Sequence, residues 1–126
     1  MAASGRLTRP VVQALDTAKI IGLRAGLAPH RFLGVWVVVV DGRAFVRSWN
    51  DKPQGWYRAF LEEPRGVLQL GERELPIRAA RSRGERLMDA IDAAYAVKYP
   101  TPGSRKYVRG FKTPRRRATT LEIKPR

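Results

Sequence analysis

LGVWVVVVDGRAFVRSWNDKPQGWY, residues 33–57, is the stretch whose reading decides the fold. Its apolar run, Leu33–Val40, meets Asp41-Gly42, a dipeptide that adopts the φ > 0 turn between two antiparallel strands. Arg43–Trp49 reads as the returning strand. There Ala44, Val46 and Ser48 alternate with Phe45, Arg47 and Trp49, so Ser48 points away from the face shared by Arg47 and Trp49. The strand ends in Arg47-Ser48-Trp49-Asn50, where it gives way to a helix. An arginine, a hydroxyl and free backbone N–H groups converge at such a junction, a composition suited to a phosphate-bearing ligand.

Outward from this hairpin the pattern stays short and antiparallel. Met1–Arg9 reads as a frayed start. Pro10–Leu15 reads as a short helix, with Thr8 as its cap and Pro10 in its first turn. Ala18–Leu23 is a first strand and Arg24–Arg31 a loop. Pro53–Leu61 is a helix with Trp56, Tyr57, Phe60 and Leu61 on one side, capped by Asn50 or Asp51 and stopped by Pro64. Val67–Leu70 and Glu74–Ala80 form a second hairpin around Gly71-Glu72, and Pro76 marks an edge or bulge within it. Ser82-Arg83-Gly84-Glu85 has the spacing of a capping box, and the helix it opens runs to about Tyr99 on a stripe of Leu87, Ile91 and Tyr95. Arg117–Lys124 is a last strand. The order strand, hairpin, short helix, hairpin, longer helix, strand excludes a doubly wound sheet. It predicts a mainly β (α+β) domain spanning residues 1–126, with about six antiparallel strands in a small barrel and two packed helices.

Composition narrows the chemistry. The 126 residues suffice for one core, and none is cysteine, which excludes disulfides, thiolate metal sites and a cysteine nucleophile. Residues 1–10 lack the apolar centre of a secretion signal, and the longest apolar run is far too short to span a bilayer, so a cytoplasmic protein without a membrane role is expected. The net charge is +14, from 25 Lys+Arg against 11 Asp+Glu. Residues 104–126 alone hold nine basic residues and one acid. Residues 104–116 are predicted to be a basic crossing loop, ordered by Tyr107 and Phe111. Its charge points either to a solvated face or to an anionic partner. It carries no RNA-binding signature and no recognition helix, which makes nucleic acid the weaker partner.

No GxxxxGK[ST], GxGxxG or nucleophile-elbow serine is present. His30, the one histidine, has no cysteine or acid beside it in its loop and is not read as a metal ligand. Asp89 and Asp92 read as a solvated helix face. Trp36, Trp56, Tyr57 and Phe60 either wall an apolar pocket or belong to the core, the second being the commoner use of such spacing. An enzyme built from these residues needs a cofactor to bring the reactivity.

Arg24-Ala25-Gly26, Trp36-Val37-Val38-Val39-Val40-Asp41-Gly42, Arg47-Ser48, Gly55-Trp56-Tyr57 and Arg117-Ala118-Thr119-Thr120-Leu121, in this order, resemble a bacterial family known only as a domain of unknown function. That family in turn resembles the split β-barrel flavin-binding proteins, most closely the deazaflavin-dependent nitroreductases. The resemblance covers roughly residues 18–124. It implies a split β-barrel, a homodimer with the cofactor at its interface, FMN or a deazaflavin as cofactor, and hydride transfer to a small apolar acceptor. By the same resemblance Arg24, Gly26 and Arg31 hold the cofactor phosphate with Arg47. Ser48, Asn50, Pro53, Trp56 and Tyr57 shape the ring site, together with Trp49. Where the nitroreductases carry a second basic residue in the first loop, this chain has Ala25. That departure supports the alternative of a non-catalytic binding barrel, with its basic segment turned to another partner.

Overall fold

In the computed structural model, which describes residues 6–126, the chain runs through α1 (Arg9–Thr17), β1 (Ile21–Ala25), β2 (Leu33–Val35), β3 (Val38–Val40), β4 (Arg43–Val46), α2 (Trp56–Glu62), β5 (Arg65–Leu70), β6 (Arg73–Arg81), α3 (Glu85–Lys98), α4 (Arg105–Gly110), α5 (Pro114–Arg117) and β7 (Leu121–Pro125). All seven strands join one antiparallel sheet in the order β2-β1-β5-β6-β7-β4-β3, which curls into a half-barrel. The α+β class and the small antiparallel barrel expected from the sequence are thus present, with more helix than expected. Of the frayed start expected over residues 1–9, the first five lie outside the described residues. Leu7 packs against the core and Arg9 opens α1.

The two hairpins form as their turn residues dictate. Asp41 (φ 52°) and Gly42 (φ 74°) are both left-handed, as the two-residue turn between β3 and β4 requires. Gly71 (φ 63°) opens the turn between β5 and β6. Pro76 stands opposite Val67 inside β6, yet its carbonyl accepts from the N–H of Arg126, one residue beyond the end of β7. The missing proline donor therefore faces a position past the last strand rung, which is the local edge that the residue predicts.

One expectation fails. The apolar run 33–40 is not a single strand. Leu33–Val35 pairs with β1, whereas Val38–Val40 pairs with β4, and these are opposite edges of the sheet. Only Trp36 and Val37 lie between them. Three virtual Cα bonds reach at most ~11 Å, so the edges must approach one another and the sheet must curl. A run that is apolar on both faces carries no sign of a change of partner, which is why the break is invisible in the pattern.

The break would leave buried backbone groups unpaired, and the end of α3 supplies the partners. Tyr99 Oη accepts from the Val37 N–H (3.3 Å) and donates to the Lys19 carbonyl (2.7 Å). The Lys98 ammonium donates to the carbonyls of Val37 and Leu15, each at 2.8 Å. The capping box expected at Ser82–Glu85 does not form. Gly84, at φ 112°, takes the N-cap position of α3 instead, with no side-chain cap.

Two apolar groups flank the sheet. Leu15, Ile21, Leu23, Val37, Ala44, Val46, Phe60, Leu68, Ile77, Leu121 and Ile123 pack beneath α1 and α2. Val38, Phe45, Ile91, Tyr95 and Phe111 pack where α3 and α4 cover the other side. Alternation along β4 thus delivers Ala44 and Val46 to one group and Phe45 to the other. Residues 104–116, expected as a loop, instead form α4 and α5 after a 3₁₀ turn at Pro102–Ser104. Within this segment Phe111 is buried and Tyr107 stays exposed, and both rings meet Trp36.

Replacing Tyr99 by Phe leaves the Val37 N–H without its acceptor. We expect a loss of roughly 1–3 kcal/mol in urea denaturation. Burial also lowers the pKa of Lys98 to about 8. Between that value and the ordinary ~10.4, the unfolded chain holds a proton that the folded chain has released, so this group makes stability rise with pH. The neutral amine keeps two N–H donors for its two carbonyls. The contribution is lost as pH falls through 8. Burial raises Tyr99 to about 12, and its opposing effect begins only above pH 10. Unfolding free energies measured from pH 8 to 10 should therefore climb in the wild type relative to Lys98→Met.

Candidate functional site

After Val46 the chain leaves β4 and forms a tight corner. The Ser48 N–H donates to Thr119 Oγ1 (2.9 Å), and Ser48 Oγ accepts from the Asp51 N–H (2.9 Å). Asp51 adopts a left-handed φ of 46°, a conformation that aspartate tolerates better than most residues, and its carboxylate grips Arg58 through two bonds of 2.8 Å. This corner, the start of α2, the edge strand β2 and the helix α4 surround a cavity of about 510 Å³. That size falls within the range of roughly 300–1,000 Å³ typical of small-molecule sites.

Aromatic rings wall the cavity: Trp36, Trp49, Trp56, Tyr107 and Phe111. Trp36 rests one face on Tyr99, with centroids 3.9 Å apart and planes 3° from parallel. Trp49 is held by the Arg116 guanidinium, 3.6 Å from its ring centre, and by Tyr107 and Phe111 in edge contacts. Arg116 also donates to the Trp49 carbonyl at 2.9 Å. Gly110 passes so close to the Trp49 indole that any side chain there would overlap it. The corner contributes Ser48, Asn50, Asp51 and Lys52 to the lining.

Of the expected site residues, Arg47, Ser48, Trp49, Asn50 and Trp56 meet at this cavity. Arg24, Gly26, Arg31 and Tyr57 do not line it. Arg24 lies over the Phe32 ring (4.6 Å) and donates to the His30 carbonyl (3.3 Å). Gly26 (φ 84°) ends β1 and donates its N–H to the Arg65 carbonyl (2.8 Å). Arg31 is exposed in the loop beyond. Tyr57 is buried in the core, with its hydroxyl donating to the Ala118 carbonyl (3.2 Å).

Arg47 touches the cavity but is sealed behind it. Its side chain is 0% exposed and reaches Asp92 at 2.5 Å, Thr120 Oγ1 at 2.8 Å and the Phe111 carbonyl at 3.0 Å. Its charge is already matched, so the expected phosphate clamp of Arg24, Arg31 and Arg47 is not assembled. Asp92 is correspondingly not on a solvated face. It also accepts from Arg117, whose second partner is Asp89 at 2.6 Å, and these carboxylates raise the Arg117 pKa. The position of Asp92 was detectable: Met88, Asp92 and Tyr95 fall on one helical stripe, and all three are buried. Tyr107 and Phe111 escaped notice as lining because nothing local ties residues 104–116 to the hairpin; Lys52 lies in the hairpin's own corner, where its position beside Asn50 and Asp51 could have shown it.

Residues 10–123 match a family described as an uncharacterized protein conserved in bacteria (DUF2255), and the chain belongs to that family. No curated protein matches it. No helix among the described residues is long and apolar enough to cross a membrane.

Removing Asp92 strands the enclosed Arg47 guanidinium, whereas removing Arg47 leaves Asp92 still paired with Arg117. Asp92→Leu is therefore expected to cost roughly 3–5 kcal/mol in denaturant titration, and Arg47→Met less. Arg47→Met combined with Asp92→Leu should cost less than the two single changes added together. Gly110→Ala should move the Trp49 indole, visible as altered near-ultraviolet circular dichroism at unchanged helix content.

Proposed function

We propose that the cavity binds a planar heteroaromatic ring, and that the protein is a flavin- or deazaflavin-binding oxidoreductase acting on a small apolar acceptor. The observation that carries this reading is the aromatic wall. Three indoles, a phenol and a phenyl ring gathered around one opening offer flat, desolvated contact to a flat ligand. The edge strand β2 adds to it. Among the described residues no other strand pairs with its outer side, and Leu33, Gly34 and Val35 line the cavity. Backbone donors and acceptors along such an edge suit the imide side of a flavin-type ring.

The ring part of such a cofactor therefore fits the residues present, while Arg24, Arg31 and Arg47 do not fit the phosphate role that the resemblance implies. The bound ring would supply hydride transfer. Trp36, Trp49 and Trp56 would orient it and exclude water. The Ser48 hydroxyl accepts from Asp51 and retains its own proton for a ring or ribityl oxygen. A second copy of the chain is expected, by the resemblance alone, to complete the site.

Titration of the protein with FMN and with the deazaflavin cofactor, followed by the ligand's own absorbance and fluorescence, tests the reading. Saturable binding in the micromolar range is expected, and no binding of either at high micromolar concentration would remove the hypothesis. Trp56→Ala should weaken binding by about 1 kcal/mol, the scale of one aromatic contact. Arg24→Gln should leave it unchanged.

A second reading, a non-catalytic barrel that contacts nucleic acid, draws on α4 and α5. Arg105, Lys106, Arg109, Lys112 and Arg115 form no ion pair among the described residues. The covering of Arg24 by Phe32 and His30 favours it as well. Mobility shifts with random duplex and single-stranded DNA at 50 and 200 mM salt separate the two. Contact through about six phosphates loses roughly three to four decades of affinity across that range, whereas no shift at 50 mM excludes the second reading.

A further inference from the structure

We infer that the anionic end of the ring ligand is held by Lys52 and Lys106, which take the place of the arginine clamp expected from sequence. This rests on the ring-binding reading above and assigns the residues that hold the ligand's phosphate. Arg47 cannot serve, because its guanidinium is enclosed and matched by Asp92. Arg24 and Arg31 do not line the cavity.

Of the cations beside the wall without an ion pair among the described residues, Arg116 is committed to the Trp49 face and carbonyl, which leaves two lysines. Lys52 lines the cavity directly, from the corner that follows Ser48. Lys106 projects from α4 with its ammonium 5.1 Å from the ring centre of Tyr107, itself a wall of the cavity. Both lysines are exposed, and neither forms an ion pair among the described residues. The one acid in the lining, Asp51, is engaged by Arg58 through both carboxylate oxygens. The free charge of the rim is therefore positive. Arg105 and Arg109, on the same short helix as Lys106, add to the field. A flexible ammonium acts as a point charge, so two lysines on separate elements can meet a phosphate on a ligand tail without the fixed geometry that a guanidinium fork demands.

The test compares each ring with and without its phosphate: FMN against riboflavin, and the deazaflavin cofactor against its phosphate-free chromophore. Affinities are measured by fluorescence titration at 50 mM salt for the wild type and for the Lys52→Gln/Lys106→Gln variant. The wild type should bind the phosphorylated form about tenfold more tightly, the scale of two exposed charge contacts. The double variant should lose that preference and keep its affinity for the phosphate-free ring, with unfolding midpoints confirming an intact fold. Equal wild-type affinity for both forms, or a preference that survives in the double variant, overturns the lysine assignment and leaves the ring site standing. Failure of every ring to bind overturns both.

Discussion

The reach of two residues governs this molecule. Val35 belongs to one edge of the sheet and Val38 to the other, with only Trp36 and Val37 between. A flat seven-stranded sheet would hold its edges far beyond the span of so short a link, at roughly 4.8 Å per strand. The curl therefore follows from connectivity, with strand twist working in the same direction. Its cost falls on the backbone at Val37, and α3 answers that cost with the side chains at its C-terminal end. Tyr99 and Lys98 are thus as much part of the sheet as the strands they touch. Trp36, at the bend itself, is turned onto Tyr99 and into the cavity wall.

A second tie joins what the curl leaves open. Arg47 extends from the end of β4 toward α3 and α4, and binds a carboxylate from one and a backbone carbonyl from the other. Arg117 continues the same cluster from α5 back to α3. Between them these two guanidiniums fix the short helices α4 and α5, which would otherwise be too short and too densely charged to hold a shape. The cavity inherits its rigidity from that arrangement, since Tyr107 and Phe111 ride on the helix so anchored. A phosphate role for Arg47 and this structural role are mutually exclusive: a guanidinium matched in the interior has nothing left to offer a ligand.

Much of the fold was legible because its signals are local. Asp41-Gly42, Gly71 and the apolar stripe of α3 each act within a few residues, and the structure uses them as their chemistry prescribes. The site was legible in part. Ser48, Trp49, Asn50 and Trp56 lie close together in sequence, and the corner that gathers them is a sequence-local object. The remaining walls come from Trp36 and from α4, about sixty residues further on, and no periodicity reports such a meeting. Arg47 shows the opposite error. Its type and its place at a strand end suggested a ligand contact, while its actual partner, Asp92, sits on a helix stripe whose other members are apolar. Counting Asp92 into that stripe would have predicted a buried acid and, with it, the need for a buried cation.

The convergence of aromatic residues has an optical consequence. The chain contains three tryptophans, and Trp36, Trp49 and Trp56 all border one cavity. Indole emission in this protein therefore originates from a single place. There is no remote tryptophan to supply a constant background, so any occupant that absorbs in the near ultraviolet accepts energy from all three emitters at short range. The guanidinium on the Trp49 face makes that indole an electrostatically distinct member of the set. The protein thus carries an intrinsic luminescent sensor whose readout is confined to the opening between β2, the β4–α2 corner and α4.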